Sequence, residues 1–257
     1  MVVSSQQSWP SALWLIRHGE SAGNVARDAA ELAGLPHIDI AQRDVDVPLS
    51  PLGERQSQAL GRWFGRLPPT QQPSVILTSP YLRAVQTASL LVQSAELATP
   101  PLLLQDERLR EKEFGSLNRL TRAGIVAKFP AEWELRLHLG KFYYRPPGGE
   151  SWCDVILRLR SIQDHLQLQY RGERVLIVAH QVVVLCFRYL LEHLSEEAIL
   201  AIDSERDVAN CSITAYELQH DPQGRGQLAL QRYNFVSPLE QAGETVTGEP
   251  DAVVAPR

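Results

Sequence analysis

Two histidines in this chain each close a short apolar run. Residues 13–16 (LWLI) stop at Arg17 and His18, and residues 175–179 (VLIVA) stop at His180. A third run, residues 74–78 (SVILT), stops at Ser79 and Pro80, with Arg83 close behind. An imidazole can act as a covalent nucleophile or move a proton near neutral pH. A guanidinium forks onto oxyanions with fixed planar geometry, and the backbone N–H groups of a helix start suit phosphate. A lone histidine after a strand is most often structural. Two of them, with two arginines at matching places, point to a phosphate pocket served by a histidine nucleophile. The sequence has no GxxxxGK[ST] or GxGxxG loop, which argues against those nucleotide cradles. It has no HExxH or CxxC either, so neither a metal nor another cofactor is expected.

The three runs are apolar on both faces and suit the buried strands of a parallel sheet. Active sites in such sheets collect beyond the carboxyl ends of the strands, where these residues fall. Residues 212–218 (SITAYEL) and 227–235 (QLALQRYNF) alternate more and read as outer or edge strands. Helices are marked by their starts. Ser50 and Pro51 open SPLGERQSQALGRWFGRL, Ser79 and Pro80 repeat that cap-then-proline start, and Ser151 with Asp154 forms a capping box. A further helix, VVVLCFRYLLEHL, follows His180. Alternation of this kind predicts a three-layer α/β/α sandwich with a mostly parallel central sheet over residues 12–236. A small helical cap insertion is expected at about 114–148, where the alternation breaks, and residues 1–11 and 237–257 read as flexible tails.

Composition narrows the class. The chain has 257 residues, 44% of them hydrophobic, enough to exclude wholesale disorder. A net charge of −5 argues against a nucleic-acid partner. No apolar run is long enough to span a membrane, and the start of the chain lacks the basic region of a secretory signal. Three widely spaced cysteines suggest reduced thiols and a cytoplasmic location.

LIRHGESAGN (15–24) resembles the signature of the histidine phosphatase superfamily, the phosphoglycerate mutase-like fold. SPLGERQSQALG (50–61), TSPYLRAVQTA (78–88), RLREKEFGSL (108–117), PGGES (147–151) and VLIVAHQ (175–181) follow in the family's order. KFYYRPPGGESW and VAHQVVVLC are most similar to the phosphatase half of fructose-2,6-bisphosphatases. The resemblance implies a metal-independent phosphatase acting on a small phosphorylated metabolite, with a sugar phosphate favoured. It implies His18 as the nucleophile, Arg17, Arg83 and His180 around the phosphoryl group, and Glu111 as proton donor to the leaving oxygen. By spacing alone Glu111 is one of several solvated acids; only the resemblance singles it out. Asn24 and Gln181 are expected to contact substrate. Arg136, Lys141 and Arg145, in WELRLHLGKFYYRPP, read either as a clamp on a second anionic group or as a solvated amphipathic face. Two departures stand out. Cofactor-dependent mutases typically follow the second histidine with a Gly-Asn-Ser type sequence, and here Gln181, Val182 and Val183 occupy it. Fructose-2,6-bisphosphatases typically carry an arginine five residues after that histidine, where this chain has Leu185. A phosphoglycerate mutase, or a phosphate-binding pseudoenzyme acting as an interaction module, are the alternatives.

Overall fold

The computed structural model describes residues 9–248. Short strands rich in Val, Ile and Leu assemble one six-stranded sheet in the order β3-β2-β4-β1-β5-β6. The strands are β1 (Ala12–Arg17), β2 (Val75–Thr78), β3 (Leu102–Gln105), β4 (Arg174–Ala179), β5 (Ile213–His220) and β6 (Gly226–Phe235). β3, β2, β4 and β1 run parallel, while β5 and β6 add antiparallel at the far side. The sheet is therefore mixed, with a parallel half that carries the reactive strand ends.

Both faces of that half are covered. On one, Leu13, Leu15, Val175 and Ile177 pack with α6 (Trp152–Gln169) and α7 (Gln181–Leu191) through Val155, Leu159, Val183 and Phe187. On the other, Ile16, Ile76, Leu176 and Val178 meet α2 (Pro51–Gly65) and α3 (Leu82–Ala95) through Leu60, Phe64, Ala88 and Leu91. Alternate residues of one strand thus enter opposite cores, as the pleat requires, and the α/β/α layering follows.

Helix starts largely agree with their sequence signals. The Ser50 hydroxyl accepts from Gly53 N at 3.0 Å with Pro51 in the first turn, and Ser151 with Asp154 closes a reciprocal capping box. Ser79 is different. α3 starts at Leu82 with Tyr81 as its cap residue, while the Ser79 hydroxyl accepts from Tyr81 N at 3.2 Å and is 2.8 Å from His180.

Residues 114–148 contain a 3-10 turn (Gly115–Leu117), α4 (Arg122–Lys128) and α5 (Pro130–Tyr143) around a small core of Leu117, Ile125 and Tyr144. α1 (Ala22–Leu32) and α8 (Glu196–Glu205) complete the surroundings. β3 carries little sequence signal of its own, being four exposed residues at the sheet edge.

The expectation of a tail from residue 237 is corrected. Residues 237–248 belong to the folded body: α9 (Ser237–Ala242) buries Leu239 completely, and Asn210 N donates to Thr247 O at 2.9 Å. Trp9, at the start of the described chain, packs against the core as well. Residues 1–8 and 249–257, also expected as tails, lie outside the described residues. All three cysteines are free thiols. Among the described residues no helix is long and apolar enough to cross a membrane.

Candidate active site

The parallel register brings the two histidines together. Arg17 of β1 lies opposite Ala179 of β4, and His18 N continues the ladder by donating to Ala179 O at 2.9 Å. His18 and His180 therefore leave neighbouring strands side by side, with ring centroids 5.1 Å apart. β2 pairs with the other side of β4, and Ser79 N donates to Val178 O at 3.0 Å. Three strand ends converge on one crevice.

His18 is buried, and its Nδ1 is 2.7 Å from the Gly19 carbonyl oxygen. A carbonyl only accepts, so this contact places the proton on Nδ1 and leaves the lone pair on Nε2. Nε2 faces Arg83, whose Nε approaches to 3.3 Å. The backbone around the ring is held at three points that sequence reasoning missed. Gly19 N donates to Thr87 Oγ1 at 3.0 Å, Glu20 N to Gln56 Oε1 at 2.9 Å, and Asn210 Nδ2 to His18 O at 3.0 Å. Gly53 makes the approach of α2 possible, since a Cβ there would sit 1.9 Å from Glu20 O. Gln56 and Thr87 both fall in quoted motifs, SPLGERQSQALG and TSPYLRAVQTA, whereas Asn210 carried no local signal.

The arginines are fixed by different partners. Arg17 is fully buried and donates through Nη1 to Val208 O at 2.6 Å and to Gln181 Oε1 at 3.1 Å. Gln181 in turn donates to Asp207 Oδ1 at 3.1 Å. Gln181, expected to contact substrate, here bridges Arg17 and Asp207. Arg83 donates through Nη1 to the backbone oxygen and carboxylate of Asp44, at 2.7 and 3.0 Å. Tyr81 lies under both partners, 4.9 Å from the Arg83 guanidinium and 5.2 Å, ring to ring, from His180.

Glu111 is buried, and its Oε1 accepts from Lys112 N at 2.6 Å while Oε2 is 3.7 Å from His180 Nδ1. A cavity of about 60 Å³ opens beside these groups, with Asn24, Asp44, Arg83, Glu111, Phe114 and Arg119 in its wall. Asn24 is the third residue of α1, and its Oδ1 accepts from the Ser21 backbone and hydroxyl. The capping box thereby aims the residue from a helix start into the cavity wall.

The three basic residues suggested as a clamp differ in their partners. Lys141 is ion-paired with Asp203 and lies over the Trp152 ring, and Arg145 pairs with Asp154. Arg136 is buried, with its guanidinium over Tyr144, and makes no hydrogen bond or ion pair among the described residues. Its companion is Lys112, which sequence reasoning passed over as one charge among many. Lys112 is 7% exposed, and its ammonium sits over the Phe114 ring at 4.3 Å with no hydrogen bond or ion pair among the described residues. Burial, and then the charge of Arg136, push the Lys112 ammonium down to about 8. Burial likewise lowers Arg136, to about 10. Two buried cations, neither in an ion pair among the described residues, are suited to an anion.

A chain that gathers two histidines and two arginines near parallel strand ends is matched by one family model. That of the histidine phosphatase superfamily (branch 1) covers residues 13–234, and the chain belongs to this superfamily. It is 28% identical to a 2,3-bisphosphoglycerate-dependent phosphoglycerate mutase of Gloeobacter violaceus, over 91% of this chain and 97% of that one. It is 32% identical to the 6-phosphofructo-2-kinase/fructose-2,6-bisphosphatase of Gallus gallus over 73% of its length, and spans 34% of that longer protein. Among solved structures, a mycobacterial glucosyl-3-phosphoglycerate phosphatase bound to VO₃ is similar. It superposes with a TM-score of 0.65 at 26% identity, over 88% of this chain and 99% of that one.

Proposed function

We propose that this protein is a phosphoric monoester hydrolase that cleaves a small phosphorylated metabolite, with a sugar phosphate favoured, through a phosphohistidine on His18. The carrying observation is the contact of His18 Nδ1 with Gly19 O, which presents the lone pair of Nε2 beside Arg83. Nε2 attacks phosphorus in line as the bond to the leaving oxygen breaks, and Glu111 transfers its proton to that oxygen. Arg17, Arg83 and an N–H of His180 hold the equatorial oxygens, where the charge of the transition state is spread. Water then attacks the phosphohistidine, giving a proton to the Glu111 carboxylate. Inorganic phosphate leaves, and His18 and Glu111 return to their starting protonation. The positive charge this reaction needs is supplied by side chains, so the reading calls for no metal or other cofactor.

Lys112 and Arg136 support a substrate with a second anionic group, a role the sequence had divided between Arg136 and Lys141. The free thiols are compatible with a reducing cytoplasmic setting.

Release of inorganic phosphate from p-nitrophenyl phosphate by the full chain tests the hydrolase reading, and a panel of phosphorylated metabolites ranked by kcat/KM identifies the substrate. No turnover of any ester would leave a phosphate-binding interaction module. The mutase reading draws on the full-length match to the Gloeobacter relative. It requires the phosphoenzyme to hand its phosphoryl group to a second acceptor, so conversion of 3-phosphoglycerate in the presence of a bisphosphoglycerate primer decides for it.

A further inference from the structure

The segment that delivers Glu111 has no regular structure of its own between the 3-10 turn Glu107–Leu109 and the turn Gly115–Leu117. It is bolted to the body by one buried ion pair. Arg158, on α6, donates through Nη1 to Arg108 O and through Nη2 to Glu111 O, the latter at 3.3 Å. The same guanidinium grips both carboxylate oxygens of Glu150, at 3.0 and 3.1 Å. Glu150 then reaches the far side of Glu111. Its Oε2 accepts from Glu113 N at 3.1 Å, and its own N donates to Glu113 O at 2.9 Å. Arg110 closes the network by donating to Glu150 Oε1 at 2.7 Å. The Arg158 and Glu150 side chains are only 10% and 13% exposed.

We infer that Arg158 and Glu150 are positioning residues that set the reach of the Glu111 carboxyl group toward the leaving oxygen. Between them they hold the backbone on both sides of Glu111: the carbonyl of residue 108 before it, and the carbonyl of residue 111 and the N–H of residue 113 after it. Neither touches the phosphate crevice. Their effect runs through backbone placement, and a shift of about 1 Å in an acid is enough to cost up to roughly a hundredfold in rate. The pair is well suited to the task. A guanidinium has five donors in a rigid fork, here spread over two carbonyls and one carboxylate, so the loop, the PGGES segment and α6 are locked in one arrangement. Lysine, a single ammonium on a flexible stem, cannot reproduce that.

This inference rests on the reading of Glu111 as the proton donor, and the test separates the two. Phenyl phosphate and p-nitrophenyl phosphate share a shape but differ in leaving group; the first needs protonation and the second hardly does. Both are assayed with wild type, Glu111→Gln, Arg158→Gln, Glu150→Gln and the double variant Glu111→Gln/Arg158→Gln, with melting curves run on each. Glu111→Gln is expected to lose about 10² or more on phenyl phosphate and far less on p-nitrophenyl phosphate. Arg158→Gln and Glu150→Gln should lose about tenfold on phenyl phosphate and under about threefold on the nitro ester, with nearly unchanged KM. The double variant should be no worse than Glu111→Gln alone, because a misplaced acid that is already absent costs nothing more. Should Arg158→Gln fail to fold, Glu150→Gln carries the test, since it keeps an acceptor for Glu113 N. Equal losses on the two esters in a folded Glu150 or Arg158 variant, or no loss on either, would reduce the pair to a structural brace. If Glu111→Gln itself loses equally on both, the reading of Glu111 fails, and the inference with it.

Discussion

Nε of Arg83 stands 3.3 Å from Nε2 of His18, while Nη1 of the same guanidinium is tied to Asp44. The nitrogen with the lone pair therefore looks at a fixed positive charge, which under the proposed mechanism would draw a dianionic phosphoryl group toward it. His18→Ala is expected to lower kcat/KM for any substrate by on the order of 10⁴-fold or more. The wild type, quenched without acid during turnover, should carry an acid-labile, base-stable phosphoryl group. Full activity in the alanine variant would remove histidine catalysis from consideration.

Lys112 and Lys141 give opposite expectations for recognition of a second anion. Lys112→Ala should raise KM for the best bis-anionic substrate by about tenfold or more, the size of a lost charge-assisted contact. For p-nitrophenyl phosphate, which offers no second anion, KM should hardly move. Lys141→Ala should leave both values within about twofold, because its ammonium is already engaged by Asp203. Steady-state kinetics on the two substrates read this directly, and a KM effect confined to Lys141 would restore the clamp expected from sequence.

Lys112 is also expected to make recognition of a second anion pH-dependent. Its folded value of about 8 lies below the ordinary 10.5, through burial first and the neighbouring Arg136 second. Between those values the unfolded chain binds the proton more often than the folded one. Lys112 therefore adds stability that is fully present above pH 10.5 and is lost as pH falls through about 8. Binding runs the other way. Charge on Lys112 is lost above pH 8, so KM for a bis-anionic substrate should climb there, and the climb should vanish in Lys112→Met. A KM that is flat across that range in the wild type would mean that this ammonium does not meet substrate.

Leu239 tests the corrected end of the fold. It is completely buried under the sheet, and Leu239→Ala should cost about 2–5 kcal/mol in denaturant unfolding. A residue in a flexible tail would change stability by less than about 0.5 kcal/mol.

Leu185 bears on substrate choice. It is 1% exposed within α7, part of the main core, where no guanidinium stands in for the arginine typical of fructose-2,6-bisphosphatases. Fructose 2,6-bisphosphate is expected to be a modest substrate, bettered in kcat/KM by another phosphate ester in the metabolite panel. A first place for it would show that Lys112 and Arg136 suffice for its second phosphate.

What the sequence by itself determined was whatever local chemistry writes into a few adjacent residues. Apolar runs on both faces marked β1, β2 and β4, and because parallel neighbours end together, His18, Ser79 and His180 had to meet. The serine caps of α2 and α6 were equally legible, since a cap is a contact over three residues. Tertiary structure decided what depends on partners far along the chain. Lys141 looked like a free cation until Asp203, 62 residues later, claimed it. Lys112 looked like one charge in a solvated run until the fold buried it within the field of Arg136. Gln56 and Asn210 hold the backbone around His18, and both are themselves met by Thr247, in a stretch with no periodicity at all. A charge or an amide has no meaning for the site until its nearest opposite group is known, and that distance is set by the packing of elements rather than by the order of residues.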